Sequence, residues 1–562
     1  MQHFNIITRR GFFDRSLRIG LGVALSTLTD IPFVMKRALA EGNIGIPGPD
    51  GKTKKVLFIF LRFGNDGLNS VIPIEDPVYA PNRPKIGIPK SGTAPANYYS
   101  TATGLMDDFS GLAGFPTEAI RGGNGFAALH PSLKYLAPVH NAGDLALIHR
   151  VGYPRQSRSH FDSQIYWENG NPNNNLSKDG IFYRAMIESG LANTNPLTGV
   201  SIQSALPLLL RGSDAAMTNL SDPTRFKLLG IPNITAGQLK ATNNLFAANS
   251  FSGPNKKNRE LLSLQYKNLN TVLGEFAGGI DFSETGNTFQ DSVAGPTQGY
   301  YLFPTAAAKN PNGVVDSSSS TYTFFKSLKA AAQILNKTDA IIAGTELGGF
   351  DTHSNQILPV DPVTALPNRF EGDHAKLQKR IAWAMYGLRK YFQIYYDRAT
   401  WDNMIVVTLS EFGRTSAENG TFGTDHAEAG PMFVAGGGVK GYGKNGRITG
   451  IFGCHTGDNY NGHSVGWTPG AVIPDPDPVK PPNIKNGTMF GVSSSYLKRS
   501  VDYRSVLGEI IRDHLGATQA QLNRIIPAYT VVNQKLQNGG TTSNSTTEKT
   551  DGTTIAGELD IV

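Results

Sequence analysis

Five apolar runs divide the chain. The first, Lys55–Leu61, reads KVLFIFL, and similar runs recur at Leu145–Ile148, Ala340–Ala343, Met404–Leu409 and Met432–Ala435. A run that is apolar at both odd and even positions has no solvent face, so each predicts a central strand covered on both sides. Between the runs the apolar spacing lengthens. Leu377, Ile381, Met385, Leu388 and Phe392 predict a helix from about His374 to Phe392. Val506, Leu507, Ile510 and Ile511 predict a second over about Tyr503–Leu515. Strands alternating with helices predict an α/β fold, a doubly wound and mostly parallel central sheet with helices on both faces.

Outside these elements the pattern weakens. Residues 204–320 lack regular periodicity and read as a loop-rich insertion, and the repeated Pro of Thr468–Pro482 reads as a loop. From 537 to 562 the chain is rich in Gly, Ser and Thr, the composition of a flexible tail. The body of the fold is thus expected over 41–536, with no internal repeat.

The first 40 residues are set apart. Arg9 and Arg10 precede a mainly apolar stretch from Leu17 to Leu28, and Ala38-Leu39-Ala40 stands before Glu41. Paired arginines, a weakly hydrophobic segment and small residues at a cleavage point form a twin-arginine export signal. This predicts the twin-arginine export machinery as a partner and a periplasmic or extracellular destination. The apolar run is short and interrupted, so no stable membrane span is expected in the mature form.

Composition narrows the chemistry. Of the 562 residues 39% are hydrophobic and 17% charged, which predicts a packed globule, and 63 Gly with 33 Pro demand many turns. The formal net charge is +7 without any dense Lys/Arg run, so no nucleic-acid partner is expected, while anionic ligands are mildly favoured. Cys454 is the single cysteine, which excludes an intrachain disulfide and a thiolate metal cluster. A metal would have to use imidazole and carboxylate.

Such groups follow the predicted strands. Asp66 comes after the first, Arg155, Arg158, Ser159 and His160 after the second, Asp351 and His353 after the third, and Glu411 after the fourth. Asp425 and His426 lie just before the last. In an open parallel sheet ligands bind beyond the carboxyl ends of the strands. Asp66, Asp351, His353, Glu411, Asp425 and His426 are therefore the candidate ligands of a divalent metal: zinc, manganese, magnesium or calcium. Each also has an ordinary reading as a turn residue, a cap or an ion-pair partner.

The segments FLRFGNDGLNSVIP, ALHPSLKYLAP, GYPRQSRSHFDSQIYWENG, GGFDTH, VVTLSEFGRT, GTDHAEAGPMFVAGGGVKG and DYRSVLGEIIRDHLG occur in order between Lys55 and Gly516. They resemble the DUF1501 family, which is similar to the alkaline phosphatase and sulfatase superfamily. The resemblance implies an alkaline-phosphatase-like fold. It also implies that Asp66 is the first-strand metal aspartate, Asp351 and His353 the mid-chain ligands, and Asp425 and His426 the late ones. Glu411-Phe412 departs from it, because many phosphatases read Asp-His there, and one imidazole is missing.

Ser159 and Ser157 are the candidate nucleophiles, with Ser159 preferred at the expected start of a helix, where the dipole favours developing negative charge. Ser159 also has the form of an N-cap. Arg158 and Arg414 are candidates to bind the non-transferring oxygens of an anionic small-molecule or polymer substrate. No Ser or Cys stands in the C/S-x-P-x-R motif of the main sulfatases, and no G-x-G-x-x-G follows the first strand. The expectation is an exported metal-dependent hydrolase or transferase acting on a phosphate or sulfate ester. The alternative is a non-catalytic exported binding or surface-assembly protein on the same fold.

Overall fold

The computed structural model describes residues 44–90, 105–225, 280–529 and 557–562, with short gaps inside those ranges, and little between 226 and 279. The export signal expected over 1–40 and the middle of the 204–320 insertion, 226–279 apart from two residues, lie outside the described residues.

A nine-stranded mixed sheet forms the centre. Its strands are β1 (Lys55–Leu61), β2 (Leu145–Gly152), β3 (Gly199–Ile202), β4 (Thr218–Asn219), β5 (Ile342–Leu347), β6 (Met404–Leu409), β7 (Gly430–Ala435), β8 (Ile451–Phe452) and β9 (Val501–Asp502). The order across the sheet is β8-β2-β7-β6-β1-β5-β3-β4, with β9 also paired to β2. Every pairing is parallel except those of β7, which runs antiparallel to both β2 and β6. The sheet is therefore mostly parallel, and the protein is broadly α/β.

The reversal of β7 has a consequence for chemistry. Residues that follow β1, β2, β5 and β6 leave at the carboxyl edge, and residues that precede a reversed strand arrive at that same edge. Asp425 and His426 precede β7 and so meet the loops that follow the other strands. The strand ends are level, with Leu61 paired to Leu347 and Phe60 to Leu409.

Helices cover both faces because β1 is apolar on both. Leu57, Ile59 and Leu61 join one core with Phe325 and Leu328 of α3 (Ser319–Lys337) and Leu377 and Ile381 of α4 (Asp373–Ile394). Val56, Phe58 and Phe60 join the other with Trp167 of α1 (His160–Asn169) and Phe182 of α2 (Ile181–Glu188). Val506 and Leu507 of α5 (Tyr503–Glu509) and Leu522 of α6 (Gln519–Ile525) complete that face. The helix expected to run to Leu515 stops as an α-helix at Glu509 and continues as a π-type turn over Ile510–His514. Of the segment read as a flexible tail, the described part, 557–562, is packed, with Leu559 and Ile561 fully buried in the second core. No helix among the described residues is long and apolar enough to cross a membrane.

Candidate metal centre

Three loops at the carboxyl edge bring three imidazoles to one carboxylate. Asp351 Oδ1 lies 3.0 Å from His353 Nε2, 3.1 Å from His426 Nε2 and 3.6 Å from His160 Nε2. The Nε2 atoms of His353 and His426 are 2.9 Å apart. His160, Asp351 and His426 place one ligand atom each within 4.8 Å of one another, a spacing able to hold a metal ion.

The far side of each ring fixes its tautomer. His426 Nδ1 is 3.0 Å from the Arg158 carbonyl oxygen, which can only accept, so Nδ1 carries the hydrogen. His353 Nδ1 donates in the same way to Asp425 Oδ1 at 2.9 Å, and His160 Nδ1 to Glu411 Oε1 at 3.0 Å. A neutral imidazole protonated at Nδ1 presents a bare lone pair at Nε2. Burial, with the positive charge of Arg414, depresses the pKa of His426, although its bond to Asp351 opposes this. Lone pairs thus converge on an anionic oxygen, and the buried Nε2 of His160 has no hydrogen-bond partner. Outer carboxylates or carbonyls on Nδ1 with Nε2 turned inward is the usual way in which proteins orient metal-binding histidines.

Asp351 is kept charged. Burial raises its pKa, but the hydrogen bond and charge of Arg414 outweigh this and hold it below the ordinary carboxylate range. Asp425 is likewise lowered, first by its hydrogen bond from His353. Phe412, fully buried, packs against two of the rings, 4.8 Å from His160 and 4.7 Å from His426. Gly64 makes room for it: a Cβ there would meet the Phe412 ring at 2.7 Å, and the backbone φ of +83° is one that favours glycine.

Several residues sit differently from their expected roles. Asp66 stays outside the cluster, because both of its oxygens are engaged by Arg83, at 2.6 and 3.0 Å, in a fully buried pair. Gln356 Nε2 also donates to it at 2.6 Å, while Gln356 Oε1 accepts from the hydroxyls of Thr352 and Thr424. Asp66 therefore braces the loops carrying Asp351 and Asp425 from behind. Glu411 touches the cluster through His160, and Asp425 through His353. His160 supplies the inner imidazole that was not among the expected ligands.

Arg414 is wholly buried and points its donors at protein oxygens. These are the carbonyls of Gly64 (2.9 Å), Phe350 (2.8 Å), Thr424 (3.3 Å) and Phe63, with Asp351 Oδ1 at 2.7 Å. It ties three loops together instead of facing a substrate. Arg158 is exposed, its guanidinium 4.5 Å from the centre of the Tyr496 ring. Ser159 is the N-cap of α1, accepting from Asp162 N at 3.4 Å, and Ser157 Oγ accepts from Ser159 N at 3.2 Å.

No curated protein and no solved structure matches this chain. A family model described as a protein of unknown function, DUF1501, matches residues 53–453, a span that takes in β1 and every residue of the cluster, and the chain belongs to that family.

Proposed function

We propose that this protein is a metal-dependent hydrolase or transferase acting on a phosphate or sulfate ester, built on an alkaline-phosphatase-like plan and exported through the twin-arginine route. The observation that carries the metal is the convergence of three imidazole Nε2 atoms on Asp351 Oδ1. Three nitrogens and one carboxylate oxygen suit zinc or manganese better than magnesium or calcium, which prefer oxygen throughout. One ion fits better than two, since Asp66 is committed to Arg83 and position 412 holds a phenylalanine. A divalent ion held there would polarise an ester oxygen and acidify water. The chain's own part is to orient the rings through Glu411, Asp425 and the Arg158 carbonyl, and to fix Asp351 through Arg414.

A second reading is favoured by two observations: Arg414 is buried, and Ser159 already serves as a cap. On that reading the ion is a structural clip for three loops in a non-catalytic binding or surface-assembly protein. Elemental analysis of native protein combined with a screen of phosphate and sulfate esters separates the two. Stoichiometric metal with turnover abolished by a chelator supports the hydrolase. Metal without turnover supports the clip, and absence of a stoichiometric divalent ion removes both.

A further inference from the structure

A cleft of about 430 Å³ opens beside the cluster, lined by Phe63, Gln203, Arg211 and Glu346 among others. Phe63 follows β1, Gln203 follows β3 and Glu346 lies at the end of β5, so the cleft shares the carboxyl edge with the cluster. Phe63 belongs to both, because its ring stands edge-on to His160 at 5.3 Å and remains 42% exposed.

Phe63 is held in a costly conformation. Its φ is +83°, a region in which a bulky side chain is a genuine outlier. The strain is imposed by groups of the site itself: Glu411 Oε1 accepts from Phe63 N at 2.7 Å, and Arg414 donates to the Phe63 carbonyl. Backbone strain of this kind persists where surrounding structure over-determines it, and it is concentrated at functional sites.

The polar groups of the cleft specify what would fill it. Gln203 is 8% exposed, and its amide orientation is fixed because Nε2 donates to the Ala205 carbonyl at 3.1 Å. That leaves Oε1 as a buried acceptor without a donor. Arg211 is exposed and makes no ion pair among the described residues. Glu346 is 31% exposed at its side chain and is paired on one oxygen with Arg62 at 2.9 Å. Gln203 and Glu346 call for donors, Arg211 calls for acceptors, and Phe63 offers an apolar ring face. Hydroxyl groups on a ring satisfy all of these together, since each hydroxyl both donates and accepts. Two arginines balance two glutamates in the lining, Arg62 and Arg211 against Glu168 and Glu346, which suits an uncharged body.

We infer that this cleft is a saccharide subsite, taking the sugar that forms the alcohol part of the ester whose anionic head meets the metal. The inference rests on the ester-hydrolase reading for that second half, and on the cleft alone for the first. Its test therefore uses the full-length protein in chelator, where the metal plays no part. Titration calorimetry with a panel of neutral trisaccharides of glucose, galactose, mannose and N-acetylglucosamine should detect binding to at least one. Phe63→Gly, which suits the left-handed backbone, and Gln203→Leu should each weaken that binding tenfold or more. Arg211→Ala, at an exposed position that folding does not depend on, should weaken it several-fold. Absence of binding across the panel, or binding untouched by Gln203→Leu and Arg211→Ala, overturns the subsite. Saccharide binding without ester turnover would keep the subsite and reject the hydrolase, whereas turnover of simple aryl esters without saccharide binding would do the reverse.

Discussion

Glu411 Oε1 accepts from His160 Nδ1 at 3.0 Å and from the Phe63 amide at 2.7 Å, so one buried carboxylate couples the loop after β1 to an imidazole of the cluster. Its other oxygen, Oε2, is buried without a hydrogen-bond partner. A ring oriented in this way is both better aimed and more basic at Nε2. Glu411→Ala should therefore lower metal affinity by about 10–100-fold, the range typical for such outer partners. Glu411→Gln, which keeps an acceptor for Nδ1, should lose less. Competition against a calibrated chelator measures both, and equal affinity in all three proteins would show that Glu411 serves only the backbone.

Metal should also stabilise the fold. The three loops that meet at Asp351 follow separate strands, and lone pairs facing an anionic oxygen are poorly placed without a cation between them. With zinc or manganese at about one hundred times its Kd, linkage gives about 2.7 kcal/mol of added stability. Thermal melts with and without chelator should show a clear rise in Tm, and Asp351→Asn should shrink it. Identical melts would indicate that the cluster holds no ion in solution.

The strands are readable because an uninterrupted apolar run fits a strand buried on both faces and little else. Lys55–Leu61 and Met404–Leu409 appear with the expected boundaries. The π-type turn at Ile510–His514 is not readable, since the apolar stripe continues through it. The carboxylates and histidines after the strands are also legible as a group, and Asp351, His353 and His426 do meet. Their ranks are not legible. Asp66 resembles a ligand because nothing in its local sequence announces Arg83, which lies 17 residues on and binds it only in the folded chain. His160 stands in plain view, yet Ser159-His160-Phe161-Asp162 reads first as a capped helix start. It is one, and the first helical residue carries the imidazole. Glu411-Phe412 reads as a lost histidine; in three dimensions His160 from another loop occupies that side of the cluster, with Phe412 packed against it.

Ser159 has a measurable role whatever the chemistry. Ser159→Ala removes the cap of α1 and should cost about 1 kcal/mol in denaturant unfolding. Ser159→Asp should restore much of that, because aspartate caps well and its charge suits the helix start. Any ester turnover should survive Ser159→Ala if the hydroxyl only caps, and should nearly vanish if it is the nucleophile. Mass-spectrometric detection of a phosphorylated Ser159 during turnover would decide for the nucleophile.

The segment 557–562 offers a test by pH. Leu559 and Ile561 are fully buried, and their amides donate to the two oxygens of Glu509, that of Ile561 at 2.6 Å. Arg447 donates to the carbonyls of Leu559 and Asp560, each at 2.8 Å, and Arg512 pairs with Glu558 at 2.9 Å. Burial raises the Glu509 pKa to about 8 from its ordinary 4.5, against the lowering effect of the two amides, with Glu558 and Asp513 adding to the rise. A carboxyl raised in the folded state binds its proton more tightly there than in the unfolded chain. Its contribution is therefore complete below about pH 4.5 and is lost as pH climbs through about 8. Urea unfolding at pH 5, 7 and 9 should show stability falling across that window, and Glu509→Gln should flatten the slope even where it lowers the absolute value. Leu559→Ala should release the segment locally before the sheet unfolds, since 557–562 pairs with no strand of the sheet and is held by its buried side chains and by bonds from Lys440, Asn445, Arg447, Arg512 and Tyr529. Limited proteolysis near 557 should then speed up with little change in global Tm. A global loss of the size expected for a core Leu→Ala, about 2–5 kcal/mol in stability, would instead mean that the segment and the second core unfold as one unit.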